Sequence, residues 1–180
     1  MALRSTRQFI ACAYHVAAMA FASVSPASPS DATTLAEPVP PAPELTAVMD
    51  DLLRAIESLT AYHSRPPLPP IHQLPQHEIE KRVCDEPCNV LAAYIPGDGI
   101  YLSAHLDPSK ELYDRSVLLH ELVHYLQQGH PKFSGMSPCK RERAKEEEAF
   151  AVQRAYLSSI GSPERPVFQD DFDCGTRSPN

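Results

Sequence analysis

The sequence predicts a small α+β domain in which helices accompany a short antiparallel sheet. Three observations indicate this fold class. Apolar residues mark three helical segments, two strand-like runs flank a strong turn signal, and prolines crowd one of the segments between them. A chain of 180 residues has room for one such domain and little more.

Residues 44–62 are predicted to form the first helix, because their apolar side chains recur every three or four positions. Residues 63–76 contain five prolines and are predicted to be a loop. Residues 90–95 and 100–103 flank a Pro-Gly-Asp-Gly turn, and are predicted to pair as a β-hairpin. A further strand near residues 79–83 is compatible with the sequence.

Residues 112–128 form the next predicted helix, with Asp114 or Ser116 as its N-terminal cap. Apolar residues lie nearly all round this helix, which indicates that it is buried. The last predicted helix spans residues 140–160 and ends before a glycine.

Residues 1–22 have the features of a secretory signal peptide, because two arginines precede an apolar run that ends in small residues. The run is short for a membrane span, so no stable membrane anchor is expected, although an uncleaved anchor and an organelle transit peptide are alternatives. Residues 23–43 are a Pro-, Ser- and Ala-rich leader predicted to be disordered. The folded domain is placed at residues 44–163, before an irregular tail at 164–180. The predicted location is secreted or periplasmic.

Four cysteines remain after removal of the signal peptide: Cys84, Cys88, Cys139 and Cys174. In an exported chain they most simply form two disulfides. Cys84 and Cys88 are close enough in sequence to bridge locally, in which case Cys139 would hold the tail through Cys174. The alternative is a metal site made of thiolates, but the spacing between Cys84 and Cys88 is not the usual one for zinc.

Residues 120–124 have the sequence H-E-L-V-H, within the most apolar helix. His120 and His124 lie on one face of that helix and can bind one metal ion, while Glu121 can take a proton from a metal-bound water. The alternative is a pair of core histidines bonded to backbone or water, with Glu121 at the surface. Unpartnered polar groups are costly in such a helix, so the pattern favours a zinc site.

A catalytic zinc ion needs a third protein ligand from another element. Glu146 lies at the centre of an apolar stripe on the last predicted helix, and is the expected ligand. Glu142 lies near the same stripe, one turn earlier, and Glu148 is the other alternative. Glu147 projects away from the stripe and is predicted to be solvated.

The H-E-x-x-H sequence at residues 120–124, followed by Glu146-x-x-Ala149, resembles the gluzincin group of zincin metallopeptidases. The stretch around Glu146 also resembles small uncharacterised bacterial zincin-like families. The resemblance covers roughly residues 90–160. It implies a zincin-like fold, with a buried H-E-x-x-H helix and a second ligand-bearing helix.

The resemblance also implies that His120, His124 and Glu146 bind zinc, and that Glu121 is the general base. The family often has a polar residue four positions after the glutamate ligand to orient a histidine. That position is Phe150 here, so this support is expected from Glu148 or Gln153. Tyr125 and Tyr156 are the candidates for stabilising the oxyanion.

The predicted function is that of a secreted zinc metallopeptidase acting on a peptide or protein substrate. If the strand at residues 100–103 borders the cleft, it can pair with an extended peptide. The net charge of −7 argues against nucleic acid or an anionic membrane as the main partner. The alternatives are a non-catalytic zinc-binding module, and a metallohydrolase that acts on a non-peptide amide.

Overall fold

The computed structural model describes residues 43–63, 66–84 and 88–170, together with Phe172 and Cys174. Within them lie four α-helices and one three-stranded sheet, so the predicted α+β class is confirmed. The predicted signal peptide and all of the predicted leader except Pro43 lie outside the described residues. The elements are α1 (Pro43–Leu59), β1 (Ile71–Leu74), α2 (Gln76–Val83), β2 (Ala92–Ile95), β3 (Gly99–Ser103), α3 (Leu112–Gln127), a short 3-10 helix (Pro131–Phe133) and α4 (Pro138–Ser159).

The sheet is mixed, with β3 between the other two strands. β2 and β3 pair antiparallel, which confirms the predicted hairpin. β1 pairs parallel to β3, so the prediction of a wholly antiparallel sheet is wrong, as is the prediction that residues 63–76 contain only loop. The prolines mislead because Pro70 and Pro75 flank the four residues of this edge strand without interrupting them.

Gly99 allows β1 to lie this close to β3. The carbonyl oxygen of Pro70 accepts a hydrogen bond from the N–H of Ile100 at 2.9 Å. A Cβ at Gly99 would lie only 2.5 Å from that oxygen, and the φ of +147° at this position also disfavours other residues. The turn glycine therefore serves the neighbouring strand as well as the hairpin.

Residues 76–83 form helix α2, so the suggested strand near residues 79–83 is wrong. Ile79 is fully buried from this helix, and packs with Val90, Ala93 and Tyr101. Val83, at the end of the same helix, is partly buried against this cluster. Glu78 near its start and Lys81 and Arg82 near its end also suit the helix dipole.

The two faces of the sheet are covered by different helices. Ile100 and Leu102 of β3 pack into the main core with residues of α1, α3 and α4, whereas Tyr101 points to the opposite face, where α2 lies. All five residues of β3 are therefore buried, whereas the edge strands β1 and β2 are partly exposed.

The three long helices match the predicted ones to within a few residues. The predicted cap of α3 is wrong, however, because the helix follows Glu111 with no side-chain capping bond. Asp114 instead accepts the N–H of Asp107 in the preceding loop, and the hydroxyl of Ser116 donates to the carbonyl of Tyr113. Within the part of the chain that the structure describes, no helix is long and apolar enough to cross a bilayer.

Both predicted disulfides are present. Cys84 and Cys88 are joined at a Cα–Cα distance of 6.3 Å just after α2. Cys139 and Cys174 are joined at 5.5 Å, which ties the start of α4 to the C-terminal tail. The described part of that tail contains neither helix nor strand, as predicted.

Candidate metal centre

Helix α3 presents two histidines to one point. His120 and His124 lie one turn apart, and their Nε2 atoms are 3.0 Å from each other. The helix is held in the core by the fully buried Leu118, Leu119 and Leu122, so the direction of its histidine face is fixed by packing. The side chain of His120 is 4% exposed and that of His124 is 14% exposed.

Helix α4 packs along α3 and brings Glu146 to the same point. Its Oε2 lies 3.4 Å from Nε2 of His120, and its Oε1 lies 3.2 Å from Nε2 of His124. These three side chains form a group that could hold a metal ion. The structure thus brings together the three residues that the sequence suggests as ligands.

The geometry of the three donors suits a small cation. The two Nε2 atoms are 3.0 Å apart, which is close to the roughly 3.3 Å expected between ligands in a tetrahedral shell with bonds of about 2.0–2.1 Å, and each lies 3.2 to 3.4 Å from a different oxygen of Glu146. Oε2 of Glu146 is buried without a hydrogen-bond partner among the described residues. A buried carboxylate oxygen in that state is costly, and a bound cation would satisfy it.

The electrostatics of the group also favour a cation. Burial alone would lower the pKa of His124, but the adjacent Glu146 carboxylate raises it to about 9. Burial likewise opposes ionisation of Glu146, yet the imidazoles of His124 and His120 hold the pKa of its carboxyl far below the usual range. A positive charge is therefore stabilised at this buried position. Either a proton or a metal ion can supply that charge.

Glu121 lies next to this group and is only 4% exposed. Its Oε2 accepts a hydrogen bond from the backbone N–H of Tyr94 at 2.7 Å. Burial raises the pKa of its carboxyl, with the nearby imidazoles acting in the opposite direction. The alternative of a surface-exposed Glu121 is therefore wrong, because its carboxylate is buried and bonded to the backbone of β2.

Gln127 contacts the ring nitrogen of His124 that does not face the metal-binding group. Its Oε1 lies 2.9 Å from Nδ1 of His124, while its amide nitrogen donates to Oε2 of Glu148 at 3.1 Å and to the carbonyl of Lys145 at 3.0 Å. Gln127 was not among the predicted site residues, although a glutamine three residues after a histidine on a buried helix can be recognised as a candidate partner of that histidine.

The two residues expected to give this support have other positions. Glu148 acts one step further away, through Gln127, and also accepts a hydrogen bond from the hydroxyl of Tyr62 at 2.7 Å. Gln153 donates to the hydroxyl of Ser116 at 3.1 Å. Phe150 packs its ring edge-on against His120, with the centroids 4.6 Å apart.

The alternative glutamate ligands do not join the group. Glu142 forms an ion pair with Lys145 at 3.1 Å, and Glu148 forms one with Lys132. Glu147 is exposed, as predicted. Glu146 is thus the glutamate of this run that meets the histidines.

A cavity of about 320 Å³ opens beside the centre. Its lining residues come from β2 and the turn after it, from α3 and α4, and from the tail: Ala92, Ala93, Tyr94, Pro96, Glu121, His124, Gln128, Glu142, Lys145, Glu146 and Phe172. The strand that borders the cavity is therefore the edge strand β2, and the condition that residues 100–103 border it is not met, because they form the central strand.

Neither predicted oxyanion donor lines this cavity. The hydroxyl of Tyr125 donates to the carbonyl of Pro67, and Tyr156 is 8% exposed within the core. Tyr94 lines the cavity instead, and its hydroxyl donates to Oε1 of Gln128. The sequence offered no way to choose between tyrosines, because the choice depends on which strand lies at the edge.

Comparison with known proteins assigns no family to this chain: no family model, no curated protein and no solved structure matches it. What can be said of the site therefore comes from its own geometry, which is that of a buried group of two histidines and one glutamate able to hold a metal ion beside an open cavity.

Proposed function

We propose that this chain is an exported zinc metallopeptidase of the gluzincin type. One observation carries the proposal: His120, His124 and Glu146 converge at a buried point, with the carboxylate of Glu121 beside them on the same cavity. A purely structural metal site has no need of a buried base that faces open space. The H-E-x-x-H and Glu-x-x-Ala sequences support the same conclusion through their resemblance to gluzincins.

Zinc is the metal that this donor set favours. Two imidazoles and one carboxylate are the protein ligands of a common type of catalytic zinc site, in which a fourth position is kept for water or substrate. When bound there, zinc would lower the pKa of a coordinated water and polarise a substrate carbonyl. Calcium and magnesium sites differ from this one, because they are built from oxygen ligands such as carboxylates, carbonyls and water.

The remaining chemistry belongs to the protein's own side chains. Glu121 would accept the proton of the attacking water and deliver it to the leaving amine. The N–H of Tyr94 holds one oxygen of this carboxylate, which leaves the other oxygen to exchange protons. Oε1 of Gln127 would accept a hydrogen bond from the protonated Nδ1 of His124. The proton would then stay on Nδ1, and Nε2 would be free to bind the metal.

The substrate we propose is a peptide or a protein segment in extended form. β2 is an edge strand and lines the cavity with Ala92, Ala93 and Tyr94, so an extended chain can lie along its outer side and pair with backbone groups other than the N–H of Tyr94, which is bonded to Glu121. The acidic net charge of −7 disfavours nucleic acid. Two disulfides support export, and the features of residues 1–22 support a signal peptide that is cleaved.

Metal analysis and a broad peptide-cleavage assay on the mature chain, beginning at residue 23, test the proposal. We expect about one zinc per chain. Replacement of His120 or Glu146 with Ala should remove the zinc, whereas Glu121→Gln should keep the zinc and abolish hydrolysis. The exposed Glu147→Gln is the matched control, and should keep both properties.

The outcomes separate this function from its alternatives. Zinc without hydrolysis of any amide would indicate a non-catalytic binding module. Hydrolysis of non-peptide amides alone would indicate a different metallohydrolase. Full zinc retention in Glu146→Ala would contradict the assignment of Glu146 as the third ligand. Hydrolysis by Glu121→Gln would contradict the assignment of Glu121 as the general base.

A further inference from the structure

The C-terminal segment, defined as residues 166–170 with Phe172 and Cys174, returns from the end of α4 towards the metal centre. Its contacts with α4 run in reverse order along the helix. The carbonyl of Pro166 accepts a hydrogen bond from Arg154 at 3.4 Å, and the ring of Phe168 lies 5.8 Å from that of Phe150.

Further along, Asp170 pairs with Arg143, and Cys174 is bonded to Cys139. The segment therefore lies antiparallel along the helix that carries Glu146. Arg143 and Asp170 are both substantially exposed, so their pairing is a weak constraint. The strong constraint is the Cys139–Cys174 disulfide, and Cys174 lies two residues after Phe172.

Phe172 reaches the cavity beside the metal centre. It lines that cavity together with Pro96 and Tyr94 of the hairpin, and with Glu146 of α4. Its ring is 6.5 Å from that of Phe168, which continues a row of rings from His120 through Phe150. The C-terminal segment thus supplies an apolar side chain to a cavity whose other main walls come from β2 and the paired helices.

We propose that Phe172 is a specificity-determining residue, which contacts a bulky apolar side chain of the substrate next to the bond under attack. The Cys139–Cys174 disulfide positions it there. The inference rests on the proposed function. It follows from the apolar surface that Phe172, Pro96 and the alanines of β2 present together, since covering such surface with an apolar side chain is favourable.

The geometry favours a contact over a plug. A plug would fill the space next to the catalytic groups, whereas about 320 Å³ remains open with both Glu121 and Glu146 lining it. Phe172 therefore stands at the side of the space that a substrate would use. A cavity of this size holds a short stretch of chain rather than a folded domain.

Binding of two inhibitor-like probes to the zinc-loaded mature protein tests the inference without turnover. The probes are dipeptide hydroxamates that differ in carrying Leu or Ala beside the metal-binding group. Calorimetry should show that the wild-type protein prefers the Leu probe. Phe172→Ala should reduce that preference by roughly five- to tenfold, and Phe172→Leu should retain most of it.

Two controls are built into the chain. Val167→Ala removes an apolar side chain of the same segment that is 72% exposed, and should leave the preference unchanged. Replacing Cys139 and Cys174 together with Ser should act like Phe172→Ala, whereas the same change at Cys84 and Cys88 should not. Zinc content and thermal midpoint, measured on every variant, would reveal any that fails to fold.

Undiminished preference for the Leu probe in Phe172→Ala would overturn the inference, as would tighter binding of both probes, which is the behaviour of a released plug. Failure of the wild-type protein to bind zinc or either hydroxamate would instead contradict the proposed function, and this inference with it. The two failures are therefore distinguishable.

Discussion

The backbone N–H of Tyr94 donates to the carboxylate of Glu121 across 2.7 Å, and so joins the edge strand of the sheet to the proposed general base. This bond fixes the carboxylate at the side of the cavity where β2 lies. It also makes the position of the base depend on the position of the strand with which an extended substrate would pair. In the proposed function, substrate docking and proton transfer would therefore share one structural element.

The length of the Glu121 side chain should matter for this reason. Glu121→Asp withdraws the carboxylate by one methylene group, away from the N–H of Tyr94 and from the position of the attacking water. We expect unchanged zinc content and a fall in kcat of at least about 100-fold, because misplaced general bases are inefficient. Steady-state kinetics on a cleaved peptide, with zinc measured in parallel, would check this. Activity within tenfold of wild type would show that the carboxylate need not be held at this distance.

Gln127 should contribute specifically to the zinc affinity of the centre, in addition to any contribution to the stability of the fold. Gln127→Leu removes the partner of Nδ1 of His124 and frees that ring to rotate, so we expect zinc affinity to fall roughly 10- to 100-fold. Gln153→Leu is the matched control, since Gln153 is also buried but bonds to Ser116. Competition with a zinc chelator gives both affinities. Equal losses in the two variants would mean that only general packing has been disturbed.

The metal-free centre should give the protein a distinct pH dependence of stability. The pKa of His124 is raised from 6.5 to about 9, so its favourable contribution is complete below pH 6.5 and is lost as the pH rises through about 9. The pKa of Glu146 is lowered from 4.5, so its contribution is present above pH 4.5 and is lost on further acidification.

Between about pH 4.5 and 6.5 the pair therefore stabilises the metal-free protein most. Urea unfolding of the chelator-treated mature chain should show wild type losing stability relative to His124→Gln as the pH rises from 6.5 to 9. Zinc affinity should change in the opposite direction and increase over the same range, because zinc displaces the proton from His124. A difference between the two proteins that does not vary with pH would exclude a raised pKa at His124.

The core around α3 should be sensitive to cavities. Leu122 is fully buried, and Leu122→Ala should lower the free energy of unfolding by about 2–5 kcal/mol. Leu112, at the start of the same helix, is 48% exposed, and Leu112→Ala should cost less than about 1 kcal/mol. Urea denaturation of metal-free protein measures both. Similar losses would show that α3 is not the packed centre of the domain.

The sequence was informative wherever a pattern is long or chemically specific. The 3.6-residue repeat of α1, the Pro-Gly-Asp-Gly turn and the apolar surroundings of His120 each predicted an observed feature. The position of Glu146 on an inward stripe is of the same kind, since helical geometry alone fixes the directions of neighbouring glutamates.

Features that depend on pairing between distant segments were not predictable in this way. β1 has four residues, and its strand conformation depends on the backbone of β3, which no local pattern reveals. The choice of Tyr94 over Tyr125 at the cavity follows from the strand order. Phe172 lies in a segment of irregular backbone, and is positioned by a covalent bond whose geometry the sequence does not contain.

The placement of Glu146 on α4 and of both histidines on α3 has a consequence for how the protein matures. A bound ion would cross-link these two helices, much as the Cys139–Cys174 disulfide links α4 to the tail. Both links would be added after synthesis, one by metal loading and the other by oxidation. A chain held in a reducing, metal-poor compartment would have neither, and would gain its full site only after it reached surroundings that provide both.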